Sequence, residues 1–145
     1  MGGYYSVTCR NKACKYYIMI RAGVGMHVFR EMRTMEQKII NGEIEADEKI
    51  KSLLQSGEHF KANAVYLCPE CREWKNVDSY FIFEKVHVSP YGTVREYKLH
   101  YLNKEPVCEE CGSKLVFILN PRAQTVPCPK CGTANMISRD KGNFD

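Results

Sequence analysis

The sequence predicts a small α+β fold stapled at its cysteines, and three observations predict it. Eight cysteines fall into four close pairs, Cys9/Cys14, Cys68/Cys71, Cys108/Cys111 and Cys128/Cys131. Short β-branched and aromatic runs of strand length adjoin three of those pairs. Two stretches of helical apolar spacing lie between the first and second pairs, and a hairpin pattern lies between the second and third.

The elements follow in order. Tyr16-Tyr17-Ile18-Met19-Ile20, Ala64-Val65-Tyr66-Leu67 and Leu115-Val116-Phe117-Ile118-Leu119 read as strands beside the first, second and third pairs. From Val28 to Asn41 the apolar residues Val28, Phe29, Met32, Met35, Ile39 and Ile40 form one helical stripe, which Gly42 ends. The two methionines in it read as core filler. A second helix is expected from about Ala46 to Gln55, with Ile50, Leu53 and Leu54 inward and Gly57 as its stop.

From Ser79 to Leu102 the pattern is a hairpin. Ser89-Pro90-Tyr91-Gly92 has the residues of a type I turn with a left-handed bulge glycine. That turn sets Ser89 opposite Thr93, Lys85 opposite Tyr97, Phe83 opposite Leu99 and Phe81 opposite Tyr101. It also sets Glu84 opposite Lys98 and Ile82 opposite His100. One mostly apolar face and one mostly polar face result, as a half-buried hairpin requires.

A chain of 145 residues with 44% hydrophobic content can bury a core. It has no run of eighteen apolar residues, so no membrane helix is expected. Met1-Gly2-Gly3-Tyr4-Tyr5-Ser6 lacks a basic then apolar leader, so a cytoplasmic protein is expected, and the Met1-Gly2 start reads as unmodified rather than myristoylated. Cysteines in a reducing compartment point to metal ligation rather than disulfides. The formal charge of +4 falls to zero once eight thiolates and two divalent zinc ions are included, so no strong overall field for polyanions remains. The asymmetry is local: residues 1–30 carry Arg10, Lys12, Lys15, Arg21 and Arg30 and no acidic side chain.

The cysteine pairs have metal-knuckle spacing. Zinc takes four thiolates in a tetrahedron with Zn–S of about 2.3 Å, and two cysteines separated by two residues reach one ion from a single tight turn. Cys68-Pro69-Glu70-Cys71, Cys108-Glu109-Glu110-Cys111 and Cys128-Pro129-Lys130-Cys131 have that spacing, and Cys9 and Cys14 form the longer variant. Gly112 and Gly132 stand where the backbone needs positive φ and turns its N–H toward sulfur. Lys15 and Arg72 stand there in the first two knuckles. Basic residues beside a tetrathiolate offset its charge of −2, and Arg10, Lys12, Lys15, Arg72 and Lys130 read first in that role.

These knuckles resemble those of the zinc-ribbon group, whose rubredoxin-like form is Cys-Pro-x-Cys-Gly. The resemblance covers the four knuckles and their flanking strands, not residues 28–56 or 79–102. It is similar to small bacterial proteins with several ribbons. It implies two zinc ribbons with all eight cysteines as ligands of two Zn²⁺; the helical spacing and the turn pattern add a helical insertion and a long β-hairpin. The segments expected are 1–78 (first ribbon, with the helices inserted), 79–103 (hairpin) and 104–145 (second ribbon).

Two pairings are open. Sixteen residues separate Cys111 from Cys128, a ribbon spacing with Asn120-Pro121 near its midpoint, and this leaves the first two knuckles to share the other ion. The competing scheme joins the second knuckle to the third across the hairpin, and the first to the fourth. Shorter loops favour the sequential scheme.

Other chemistries fit less well. A redox Cys-x2-Cys needs a helix starting at it, and none does. Iron suits four thiolates as zinc does, which keeps a rubredoxin-like electron carrier as an alternative. Cys108 and Glu110 followed by Cys128 and Cys131 superficially resemble a zinc deaminase, but Cys111 would be a spare ligand there and the helices are missing. Gly23-Val24-Gly25 lacks the rest of a phosphate loop. His27, His59, His87 and His100 have no ligand spacing, and neither HExxH nor GxSxG occurs.

The expectation is therefore a non-enzymatic zinc protein that engages another macromolecule and no membrane. A protein partner is expected first, from the near-neutral charge of the zinc-bearing form and from the aromatic hairpin face of Phe81, Phe83, Tyr97 and Tyr101, although packing on the helices is the first reading of that face. Nucleic acid is the alternative, from the basic first thirty residues and Tyr4, Tyr5, Tyr16 and Tyr17.

Overall fold

The computed structural model describes residues 2–61, 64–91, 94–102, 104–118, 127–133 and 135–144. In chain order its elements are β1 (Gly2–Cys9), β2 (Tyr17–Ala22), α1 (Met26–Ile40), α2 (Glu48–Gln55), β3 (Phe60–Lys61), β4 (Ala64–Cys68), β5 (Glu73–Val77), β6 (Phe81–Val88), β7 (Val94–Tyr101), β8 (Val116–Phe117) and β9 (Met136–Phe144). They form an α+β fold with three three-stranded sheets, ordered β2-β1-β9, β3-β6-β7 and β5-β4-β8.

Contacts divide the chain into two units. One comprises Met1–Gly25, Asn63–Asp78 and Glu105–Asp145; the other comprises Met26–Ala62 and Ser79–Lys104. The expected segments 1–78, 79–103 and 104–145 do not coincide with them. The reason is two long-range strand pairings. β1 pairs β9 antiparallel over eight positions, from Gly2↔Phe144 to Cys9↔Met136. β4 pairs β8 at Tyr66↔Phe117 and Leu67↔Val116. Both ends of the chain thus belong to one unit with the second and third knuckles.

The helix–hairpin unit follows local sequence rules. α1 buries Met32, Glu36 and Ile39, while Phe29 and Ile40 of the expected stripe stay exposed. Gly42 and Gly57 have φ of +78° and +94°, so each ends its helix in a conformation open to glycine. Asp47 caps α2, its carboxylate accepting from the Lys49 N–H at 2.8 Å. The hairpin has the expected register at Phe81↔Tyr101, Ile82↔His100, Phe83↔Leu99, Glu84↔Lys98 and Lys85↔Tyr97, then shifts on either side of His87. The expected Ser89–Thr93 pair and the glycine of the turn lie outside the described residues.

The hairpin's aromatic face is interior. Phe81 and Phe83 are buried, and Phe83 stacks on Tyr97 with centroids 5.1 Å apart. Burying two phenylalanines contributes roughly 1.5–3 kcal/mol each, which explains why this face is core rather than a docking surface. Three histidines are partnered in the same unit, His27 with Glu31 at 3.4 Å among them. The buried Glu36 carboxylate meets His59 Nδ1 at 3.2 Å and Arg33 Nη1 at 3.4 Å, and Glu84 pairs with His100 Nε2 and with Lys49 Nζ at 3.1 Å.

In the other unit the core is Tyr5, Val7, Ile20, Val65, Trp74, Cys128 and Met136, with Cys9, Cys14, Tyr16 and Cys131 packed against it. A buried cysteine thus sits among the apolar residues that hold the sheets.

Candidate metal centres

The structure gathers the eight cysteines into two sets of four, Cys9/Cys14/Cys128/Cys131 and Cys68/Cys71/Cys108/Cys111, with the sulfurs of each set within 4.8 Å of one another. All eight are free thiols. The interleaved pairing therefore stands, and the sequential pairing is corrected. Loop entropy favoured the shorter loops, but it grows only with the logarithm of length. The difference between the schemes is about 1 kcal/mol. The ladder between β1 and β9 outweighs that.

Each set is built by the ends of strands. Cys9 closes β1, and the chain turns through Asn11, whose side-chain oxygen accepts from the Ala13 N–H at 3.0 Å, to bring Cys14 back before β2. The Cys14 N–H bonds the Asn11 carbonyl at 3.0 Å, and the Asn11 N–H points at Cys9 Sγ at 3.4 Å. Cys128 and Cys131 sit in the turn before β9, bracketed by a bridge between Pro127 and Asn135. The Arg10 N–H bonds the Asn135 carbonyl at 3.0 Å, which ties the first knuckle to the fourth.

In the second set Cys68 closes β4 and Cys71 precedes β5, with the Cys71 N–H on Cys68 Sγ at 3.3 Å. Cys108 and Cys111 lie within the bridge of Val107 and Lys114.

Three knuckles close in the same way. The N–H after the second cysteine bonds back to the carbonyl of the first: Arg72 to Cys68 at 2.9 Å, Gly112 to Cys108 at 2.8 Å and Gly132 to Cys128 at 2.8 Å. These residues have φ of +56°, +74° and +66°. The expected left-handed glycines are there, and Arg72 takes the same conformation at a cost of roughly 1–2 kcal/mol for a residue with a Cβ. A side chain is worth that cost if it makes contacts a glycine cannot. A Cβ placed on Gly132 would lie 3.5 Å from Arg72 Nη2, so the second knuckle's arginine reaches over the fourth knuckle. Lys130 reaches the opposite way, its Nζ 3.4 Å from the Cys71 carbonyl and 3.0 Å from Glu73. Two cations thus bridge the two thiol sets.

The donor set fits a tetrahedral ion. Four sulfurs about 2.3 Å from one centre lie about 3.8 Å apart along each edge of the tetrahedron. Four of the sulfur pairs are Cys9–Cys131 at 3.6 Å, Cys14–Cys128 at 3.7 Å, Cys68–Cys111 at 3.5 Å and Cys71–Cys108 at 3.8 Å. A disulfide would need about 2.05 Å. The thiols by themselves resist joint ionisation. Burial pushes Cys9 up to about 12, helped by thiol hydrogen bonds to Cys131, Cys128 and Cys14 against the Asn11 N–H. Cys71 is raised, first by its hydrogen bond with Cys111 and then by burial. Cys111 is drawn down to about 6 by the hydroxyl and N–H of Ser113. A divalent cation removes this conflict, because it stabilises every thiolate at once. The bound ion would supply cross-linking; the chain's own N–H groups, at Asn11 and Cys71, hold the sulfurs' negative charge.

The deaminase-like residues are not brought together. Cys108 belongs to one set and Cys128 and Cys131 to the other, while Glu110 is an exposed partner of Lys75 at 3.2 Å. Of the four tyrosines flanking the first knuckle, Tyr5 is buried and Tyr16 is half-buried, its hydroxyl accepting from the Trp74 N–H at 3.0 Å. Tyr4 and Tyr17 remain on the surface. Sequence reasoning missed the bridging role of Arg72 and the Ser113 donors. The missing glycine after Cys71 was the available signal for the first. No helix among the described residues is long and apolar enough to cross a membrane. Two four-cysteine sets are compatible with a zinc-ribbon-like protein; no family model, curated protein or solved structure matches the chain.

Proposed function

We propose that the chain is a non-enzymatic protein that binds two structural zinc ions and acts as a macromolecular interaction module. One observation carries this reading: each ion would be enclosed by four thiolates, which fills a tetrahedral shell and leaves no position for water or substrate. The ions staple sheets whose apolar core is small, a role metals serve in small domains. Zinc is favoured over iron because a closed thiolate tetrahedron that braces strand ends needs only a cross-linking ion, and a reducing compartment keeps the thiols available.

Elemental analysis of the protein grown without added metal tests the reading, with two zinc per chain and little iron expected. In the cobalt-substituted protein the visible spectrum should not respond to azide. A red iron-bearing protein, or an azide-dependent spectrum that reveals an open coordination position, would overturn it.

A further inference from the structure

The outward face of the sheet β2-β1-β9 is built differently from the rest of the molecule. Its inward face supplies Tyr5, Val7 and Ile20 to the core. Paired residues of an antiparallel sheet share a face, so the register defines the opposite one. Tyr4 pairs with Arg21, Ser6 pairs with Met19 on one side and Arg139 on the other, and Thr8 pairs with Tyr17. Tyr17 is 58% exposed, Met19 44% and Tyr4 38%, while Ser6 is a buried floor between them. Strand geometry sets Tyr4 and Tyr17 at opposite corners of this patch, about 14 Å apart.

The outward strand positions carry positive charge, and the acidic neighbours are Asp78 and the exposed Asp140 next to Arg139 on β9. Arg21 and Arg139 project from the face, Arg139 is exposed, and no outward position of β1, β2 or β9 from Tyr4 to Thr8 and their partners is acidic. Arg21 meets Asp78 at 4.0 Å, but both are exposed, and such a pair holds the arginine weakly. The knuckle loop next to Tyr17 adds the exposed Arg10, Lys12 and Lys15. Those three lie where they also offset thiolate charge. Arg21 and Arg139 do not: each is three or more strand positions from the nearest cysteine, about 10 Å or more.

We propose that this face binds single-stranded nucleic acid, with Tyr17 and Tyr4 as stacking surfaces and Arg21 and Arg139 as phosphate contacts. Exposed aromatics interleaved with cations over a shallow floor meet both parts of such a ligand: bases stack on rings, and phosphates meet guanidinium groups. A protein partner would use tyrosines and arginines as well, but rings set about 14 Å apart with cations between them suit an extended strand of bases and phosphates. The proposal names the partner class of the interaction module above and rests on that reading.

Fluorescence anisotropy of the zinc-loaded full chain tests it, with a labelled oligothymidylate and oligouridylate of about 20 nucleotides. Binding is expected at about 50 mM salt and should weaken steeply by about 200 mM. The two probes separate DNA from RNA as the source of the strand. Tyr17→Ala should weaken binding about tenfold or more, and Arg139→Glu should weaken it and lower the salt slope by about one. Lys98→Glu, on the hairpin, should change neither. Zinc content and circular dichroism of the same samples separate loss of this face from loss of the metal centres. No binding at low salt by a protein with two zinc ions overturns the proposal and leaves the structural-zinc reading intact. Binding indifferent to Tyr17→Ala and Arg139→Glu overturns it as well. A dimer that Tyr17→Ala breaks, with no oligonucleotide bound, assigns the face to a second copy and equally overturns it.

Discussion

The two units of this chain solve the problem of small size by different means. The helix–hairpin unit, Met26–Ala62 with Ser79–Lys104, buries Met32, Ile39, Ile50, Leu53, Leu54, Phe81, Ile82 and Phe83 and contains no cysteine. The other unit takes three separate stretches of chain and all eight cysteines, and packs a core in which Cys128 is itself a member. One is held by apolar burial between two stretches of chain, each of which is a local motif: a helix pair and a hairpin. The other gathers thiol clusters whose members are 122 residues apart at the extreme, between Cys9 and Cys131. Local contacts write themselves into periodicity, whereas distant ligands write only their own identity.

The comparison can be broken most forcefully by removing metal. Structural zinc contributes on the order of 10–16 kcal/mol in model peptides, against a total stability of about 5–15 kcal/mol for a domain. A strong chelator should therefore abolish amide-exchange protection in β1, β2, β4, β5, β8 and β9 and leave it in α1, β6 and β7. Equal loss in both units would show that the helix–hairpin unit depends on metal too. Retained protection in β1 and β9 would show that the thiol sets are not structural.

A smaller effect sharpens the other side. Glu84 lies below the ordinary carboxylate range, held there first by its hydrogen bond to His100 and then by Lys49. A carboxyl whose folded value is depressed stabilises the fold above the ordinary value of 4.5, and that contribution is lost as pH falls through the lower folded value. Glu84→Gln should cost about 1 kcal/mol at neutral pH, the modest figure fitting a partly exposed group. The cost should vanish in acid. Urea unfolding at neutral and acid pH, read in the helix–hairpin unit, measures it; a cost that persists unchanged in acid would remove the electrostatic explanation.

The legibility of the sequence follows the same division. Both helices, their glycine stops and five consecutive hairpin pairs could be read from spacing, because each depends on residues close in the chain. β1 and β9 could not. Gly2 and Gly3 weaken the strand signal of the first, and Ser138-Arg139-Asp140-Lys141-Gly142 carries little β-propensity in the second. Each becomes a strand because the other is there. The eight ligand candidates stood out in the sequence, since Cys-x2-Cys spacing is a local signal, but their grouping depended on that invisible ladder. The hairpin midway between Cys71 and Cys108 was the one local hint of the grouping. The aromatic hairpin face packs inward, as its first reading has it, but alternation alone reveals only that one face is apolar, not what covers it.

The grouping itself is the central claim, and paired substitutions test it directly. Zinc stoichiometry by native mass spectrometry would be measured on Cys14→Ser with Cys128→Ser, and on Cys14→Ser with Cys68→Ser. The first pair damages one four-cysteine set and the second damages both. The account predicts that the Cys14/Cys128 double variant keeps one tightly bound zinc while the Cys14/Cys68 double variant keeps none. The reverse pattern, with zinc retained in the Cys14/Cys68 variant and lost from the other, would contradict it and restore the sequential pairing.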